Sequence, residues 1–477
     1  MQSINDTILS ITSAIANFCW SNIMIYIMFF MGIFFTIRFG FPQIRHFKDA
    51  VLLFTNGFRN RNDGHDQKHE MSSLQAVLTA IGGQIGVGNI AGPATAILAG
   101  GPGAVFWLWV SAFFGMGTIS AEATAAQLYR EILPDGSVVG GPAVYIRKAF
   151  GEGGFSKFMG GFEAVLCIIG YGMACALAQG NTLAGAMENS FHIPTFVTGI
   201  IVAAIVLYVS VTGMKGLASV IEKMVPFMAI IYFVTGIIVL ICNITRIPAA
   251  FGMIFVHAFS TRAVVGGAVG FTVKQAIRYG VARGLFSNEA GQGSTAHAHA
   301  VAKVKHPCDQ GLIAMMSIVV DTFIILTISA LIILTTGANT IEGIEGVQLV
   351  QHGFSGVFGN IGGVIVAICI MFFCLSTILS GYFVGSQNWK TLFNGKYVKA
   401  YDVIILITCV LGTLTYVEVV WSICDCLNGP MVIVNLIALL GVQGKLAQKW
   451  KEYNEGGDML DTSLNDAKKA RAAAKKG

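Results

Sequence analysis

Apolar runs of about 20 residues recur along the chain, and that length crosses roughly 30 Å of hydrocarbon. Eleven are present, at about 20–40, 73–98, 103–128, 160–186, 195–214, 223–243, 258–286, 309–336, 357–387, 401–417 and 419–441. The pattern predicts an all-α polytopic membrane protein with 11 transmembrane helices. One run differs from the rest. It contains Gly82-Gly83-Gln84-Ile85-Gly86-Val87-Gly88-Asn89, with four glycines in seven residues. Each glycine weakens a helix by up to about 1 kcal/mol relative to alanine, so the run is predicted to break near 82–89. In hydrocarbon such a break survives only where the freed backbone groups face protein, water or a ligand. The freed N–H groups suit a carboxylate and the freed C=O groups suit a cation. The competing reading is a glycine-rich face for close helix packing.

The spacing Gly-Gly-x-x-Gly occurs twice, at Gly82–Gly86 and at Gly266–Gly270. The first lies in the second run and the second in the seventh. The two runs stand five places apart in the order of spans, an odd offset, so the two halves are expected to be inverted. Glycine-interrupted spans at matching places in inverted halves point to a transporter's central site. A second break is therefore expected near 266–271. The domain reading is a transporter unit over 1–442, with repeat one at about 73–243 and repeat two at about 258–441. A basic tail follows at 443–477.

Charge sets the expected orientation. Lys and Arg crowd alternate loops (Arg38, Arg45 and Lys48; Arg147, Lys148 and Lys157; Lys390, Lys396 and Lys399) and the tail, while the opposite loops hold little beyond Arg246 and Arg262. The positive-inside rule places the N-terminus outside and the C-terminus in the cytoplasm of a cell-membrane protein. Composition agrees: 55% of residues are hydrophobic and 12% charged, against about 25% charged in soluble domains. No Lys or Arg precedes Arg38, so the first run is read as a retained span, not a cleaved signal. The ten scattered cysteines read as reduced core residues. His297 and His299 stand two apart, off a common helical face, so no metal site is expected there. No nucleotide-binding loop and no cluster with catalytic spacing is present, which argues against a pump or an enzyme.

Longer motifs then carry a resemblance. Gly100-Gly101-Pro102-Gly103-Ala104-Val105-Phe106-Trp107-Leu108-Trp109 resembles the signature of the sodium:alanine symporter family, the alanine or glycine:cation symporters, with Leu108 where that family usually has Met. The run Ala276-Ile277-Arg278-Tyr279-Gly280-Val281-Ala282-Arg283-Gly284-Leu285-Phe286-Ser287-Asn288-Glu289-Ala290-Gly291 resembles it closely, as does Ser376-Thr377-Ile378-Leu379. The resemblance covers nearly all of residues 15–445. It implies a leucine-transporter-like fold, with one N-terminal helix plus two inverted five-helix repeats. It implies symport of a small neutral amino acid of the alanine/glycine class with sodium as coupling ion. Proton coupling, or a non-transporting amino-acid sensor, are the alternatives. No other cofactor and no nucleic acid is called for, and a monomer in the bilayer is expected.

Carried over residue by residue, Gly86, Val87, Gly88 and Asn89 would surround the substrate, with the amides of Val87 and Gly88 on its carboxylate. The carbonyls of Gly82 and Ile85, with the hydroxyls of Ser376 and Thr377, would hold sodium; the alternative for both hydroxyls is bonding back to their own helix. Asn89 and Asp321 form a possible second cation site. A charge in mid-span costs roughly 2.5 kcal/mol or more, so Asp321 is either a cation ligand or a protonated helix-to-helix hydrogen bond. Gly266, Gly267 and Gly270 would leave backbone dipoles for the amino group, with Phe271 and Thr272 lining the same pocket. Tyr171 and Gln179 either face the site or bond between helices; Asn181 points about 200° away from Gln179. Lys274, Arg278 and Arg283 are placed on the inner half of the seventh span. An arginine there, paired with Glu289 or Glu122, would latch an inner gate; snorkelling to the interface is the alternative. Gly381 stands where the family commonly has Trp, which suggests room for a side chain larger than that of alanine.

Overall fold

The computed structural model describes residues 2–20, 22–59, 70–151, 153–259 and 272–455. Among these, eight helices are long and apolar enough to cross a membrane, and one bent pair raises the number to nine. The expected eleven are therefore not all met. The run 258–286 crosses residues outside the described set. The run 401–417 forms Val398–Gly412, a helix of 15 residues and about 22 Å. Residues 195–242 form two spans that meet at a kink where Gly213 takes φ 70°.

The bent pair is Ser73–Gln84 and Gly88–Gly100, at 46° to each other. The first half-helix starts in a capping box: Ser72 Oγ accepts from the amide of Gln75 at 3.1 Å, and Gln75 Oε1 accepts from the amide of Ser72. Before it, Met71–Ser72 pairs in parallel with Ala302–Lys303. The helix ends where Ile85 leaves helical geometry, at φ −81° and ψ 87°.

A second interruption, at 289–295, faces the first. Val273–Asn288 is a helix opened by a capping box at Thr272. The chain then turns irregularly through 289–295 and resumes as Ala296–Ala300. Glu289, Gly291 and Gly293 all have positive φ, at 52°, 99° and 79°. Val273–Asn288 packs on Gly88–Gly100, and Ala296–Ala300 packs on Ser73–Gln84. The two interrupted helices thus lie side by side and run in opposite directions. The expected break at 266–271, with Gly266, Gly267, Gly270 and Phe271, lies outside the described residues.

Small residues set these approaches. A Cβ on Gly280 would stand 2.2 Å from the carbonyl oxygen of Ala104, and one on Gly284 would stand 2.1 Å from Ser111 Oγ. Glycines one turn apart bring Val273–Asn288 against Ala104–Tyr129 backbone to backbone. Gly280→Leu is expected to destabilise the protein by about 1–3 kcal/mol or more through overpacking. A lower thermal midpoint in detergent at unchanged expression would report it, and an unchanged midpoint would count against this contact.

Burial separates a centre from a periphery. The most apolar windows of Ala104–Tyr129, Gly154–Phe191 and Pro307–Thr336 are 67–72% buried, against 28% for Thr195–Gly213 and 33% for Gly216–Cys242. The exposed residues of the last two include Phe196, Ile200, Leu207 and Phe227, an apolar surface suited to lipid tails. Two central helices contain π-helical stretches, Cys167–Ala174 and Val319–Leu326. Such wider turns often sit at functional sites, and here they carry Tyr171 and Asp321.

Candidate functional site

A cavity of about 50 Å³ lies between the two breaks. At 10–15 Å³ per ordered water it has room for roughly three to five waters. Gly83, Gln84, Gly86 and Gly88 line it from the first break; Ser287, Glu289 and Gln292 line it from the second. Tyr171 and Gln179 close one side, Thr377 another, and Trp421, Cys424 and Asn428 a third.

The oxygens expected around sodium converge. Thr377 Oγ1 lies 3.2 Å from the carbonyl of Gly82, 3.3 Å from that of Gly83 and 3.4 Å from that of Ile85. Ser376 Oγ lies 3.5 Å from the Ile85 carbonyl. Both hydroxyls also donate to the carbonyl of Phe373, one turn back, at 2.9 and 3.0 Å. Back-bonding and convergence therefore coexist. Contacts of 3.2–3.5 Å are long for hydroxyl hydrogen bonds. They match neighbouring ligands of a small hard cation, since oxygens about 2.4 Å from such an ion at right angles stand about 3.4 Å apart.

Asn89 joins the break to the second π-helical stretch. Its Oδ1 accepts from the amide of Gly86 at 3.1 Å, and its Nδ2 donates to Asp321. Asp321 is fully buried. It also accepts from Ser287 Oγ at 3.1 Å and from Thr322 Oγ1 at 2.9 Å. Gly86 is confined: a Cβ would stand 2.9 Å from Thr377 Oγ1 and 3.0 Å from Gln179 Nε2. Gly88 faces open space. Gln179 Oε1 is 3.5 Å from the amide of Val87, so this side chain does face the cavity. Asn181 instead donates to the carbonyls of Gly412 and Thr415, at 3.0 and 2.6 Å, and ties two helices together.

Three expectations need correction. Thr272 is exposed and caps its helix, so it does not line the cavity. Gly381 lies away from it too: a Cβ there would stand 3.0 Å from the carbonyl of Tyr171. Main chain fills the space that a missing indole was expected to open, and the case for a larger substrate based on Gly381 fails. Lys274, Arg278 and Arg283 belong to the half-helix that precedes the interruption at 289–295 and lies beside Gly88–Gly100, opposite to the half expected.

The gate acids have other partners. Glu122, wholly buried, accepts from the amides of Gly291 and Gly293 at 3.1 and 2.9 Å and from Asn435 Nδ2 at 2.6 Å. Glu289 accepts from Tyr171 at 2.7 Å and from Ser294. The guanidinium of Arg278 lies 5.3 Å over the ring of Tyr279, and Arg283 faces Asp425. Neither acid is ion-paired with either arginine in this conformation.

Sequence reasoning missed the cavity positions of Gln84, Gln292, Trp421 and Asn428, and it read Glu289 only as an inner-gate partner for an arginine. A signal for Glu289 existed: an acid followed by Gly291-x-Gly293 repeats the glycine-punctuated look of the first break. Trp421 and Asn428 carry no such signal.

Comparison with known proteins completes the picture. Residues 5–463 match the sodium:alanine symporter family. The chain is 36% identical to the sodium/alanine symporter AgcS of Methanococcus maripaludis, covering 94% of this chain and 97% of that one. It is 34% identical to GlnT of Bacillus subtilis, described as a probable sodium/glutamine symporter, with 95% and 91% covered. Among solved structures it resembles a sodium-coupled sialic acid symporter in a substrate-bound outward-open state, with TM-score 0.52, 12% identity and 91% and 86% covered. That likeness concerns the fold. By its match over nearly the whole length and by these relatives, the chain belongs to the sodium:alanine symporter family.

Proposed function

We propose that this protein is a secondary active symporter that couples sodium influx to uptake of a small neutral amino acid. The observation that carries the reading is the convergence of the Gly82, Gly83 and Ile85 carbonyls on the Ser376 and Thr377 hydroxyls beside the cavity. A bound sodium would draw the end of the half-helix Ser73–Gln84 toward the helix Asn360–Phe393, so its presence favours one arrangement of the bundle over another. A ligand shifts such an equilibrium only by its difference in affinity for the two states.

The substrate would sit in the cavity with its carboxylate on the amides of Val87 and Gly88. The Val87 amide now holds only a 3.5 Å contact with Gln179, which a charged carboxylate would outcompete. A volume of about 50 Å³ favours alanine or glycine over the glutamine named for one relative. The opposed directions of the two interrupted helices support two inverted five-helix halves within eleven spans. The reading of an N-terminus outside and a C-terminus in the cytoplasm rests on the loop charges alone.

Proton coupling is the second reading. Glu122, Glu289 and Asp321 are all buried near the breaks, and buried acids of this kind serve proton relays in other transporters. Purified protein in liposomes decides between the readings. Uptake of labelled alanine should be driven by a sodium gradient and vanish when choline replaces external sodium at fixed pH. Uptake that follows a pH gradient without sodium would support the second reading. Absence of counterflow for every amino acid tried would leave a sensor and overturn symport. Gly88→Leu, which fills open space in the cavity, should abolish substrate binding while the protein still reaches the membrane; unimpaired binding would move the substrate site elsewhere.

A further inference from the structure

The cavity carries an acid that nothing beside it neutralises. Glu289 is buried and lines the cavity at the second break. One carboxylate oxygen accepts from the Tyr171 hydroxyl at 2.7 Å and the other from the Ser294 hydroxyl. Both donors are neutral. Among the described residues no Lys or Arg pairs with it or acts on it. An ionised carboxylate has about four acceptor positions, so two remain open. Its backbone is also held at φ 52°, a region that residues other than glycine seldom enter and that clusters at ligand sites.

A second acceptor lies in the same wall. Gln84 lines the cavity. Its Nε2 donates to the carbonyl of Asn288 at 2.8 Å, which leaves the amide oxygen as the free end. That oxygen is buried with no partner. An unpaired buried acceptor is costly and calls for an explanation. The other buried acids near the breaks hold other donors, although one Glu122 oxygen, Oε2, has no partner. Asp321 receives Asn89, Ser287 and Thr322; Glu122 receives Gly291, Gly293 and Asn435. Neither lines the cavity.

We propose that Glu289 and Gln84 form the subsite for the protonated α-amine of the substrate. The inference rests on the symport reading and adds to it the residues that hold the substrate's amine. An ammonium group brings three donors and one positive charge, which is what the two acceptors lack. Gly88 lines the same small cavity, and the Val87 amide reaches Gln179, which lines it too; with the substrate carboxylate on these amides the site is bipolar and matches a zwitterion. Tyr171 and Ser294 position the carboxylate. Cargo must then carry a free protonated amine. Lactate, the 2-hydroxy analogue of alanine, keeps the carboxylate and the methyl group but lacks the cation, so it should be excluded.

Equilibrium binding of radiolabelled alanine to the purified full-length protein at saturating sodium tests this, with Glu289→Gln, Glu289→Asp and lactate as competitor. In Glu289→Gln the alanine Kd should rise at least ~30-fold, the scale of losing a charged hydrogen-bond partner. Half-saturating sodium should stay within about twofold, and the preference for alanine over lactate should shrink by about tenfold or more. Glu289→Asp should recover part of the affinity. An unchanged alanine Kd in Glu289→Gln overturns the proposal. So does a rise confined to half-saturating sodium, which would make the carboxylate an ion ligand. If Glu289→Gln does not purify as a monodisperse protein, the Asp variant and lactate competition on the wild type decide: lactate competing as well as glycine overturns it. Wild-type protein that binds no amino acid would overturn the symport reading itself, a distinct result.

Discussion

Replacing Thr377 with alanine is expected to abolish sodium-driven uptake. At sodium levels that saturate the wild type, the initial rate should fall below about one tenth, and half-saturating sodium should rise at least ~10-fold, equivalent to about 1.4 kcal/mol. Its hydroxyl lies within 3.5 Å of all three carbonyls at the break, those of Gly82, Gly83 and Ile85. Thr377→Ser keeps the oxygen and should keep most of the activity. Both variants should retain the fold, since the hydroxyl's only local bond is to Phe373 one turn back. Reconstituted uptake measured against external sodium checks the series. Normal sodium dependence in Thr377→Ala would place the coupling ion somewhere else.

Asn89→Ala should have an effect of similar size by another route. Asn89 is the peg of the first break, with one end of its amide on the Gly86 N–H and the other on Asp321. Truncation deprives a fully buried carboxylate of a donor and frees the turn at 85–87. Loss of a partner to a buried charged group costs about 2 kcal/mol or more, so uptake should drop by at least ~30-fold with the protein still in the membrane. Asn89→Asp should do no better, because it sets a second carboxylate against Asp321. Uptake near wild type in Asn89→Ala would show that the break does not need this peg.

Both residues act where two helices are interrupted, and the two interruptions were not equally legible. The first could be read because four glycines stand within seven residues of an apolar run, a density that favours a broken helix over a packing face. The second falls at 289–295, behind a run that holds Lys274, Arg278 and Arg283. By hydropathy that stretch reads as a segment leaving the membrane, and the break expected at 266–271 lies outside the described residues. The fold makes the polar stretch tolerable by giving it internal partners. Glu122 takes the amides of Gly291 and Gly293, and Glu289 takes Tyr171 and Ser294. Hydropathy measures transfer of an isolated segment and is blind to partners that arrive from 100 or more residues away.

Gly381 teaches the same lesson on a smaller scale. A missing indole looks like added space in one dimension, but the backbone at Tyr171 and Gly172 already occupies that volume. The site roles of Gln84, Trp421 and Asn428 were equally invisible, because nothing in a local window says which face of a helix will meet a cavity.

Sequence alone determined that this chain is a helical, multi-span membrane protein of the symporter family, and that its second span must break near 82–89. Span length, glycine density and extended motifs are properties of contiguous residues, and contiguous residues suffice to read them. Tertiary structure alone decided where the second helix breaks, which acids face the cavity and which are spent on bracing loops. Those outcomes depend on donors and acceptors that meet only once distant segments pack, and in a low-dielectric interior the presence or absence of such a partner outweighs any local preference.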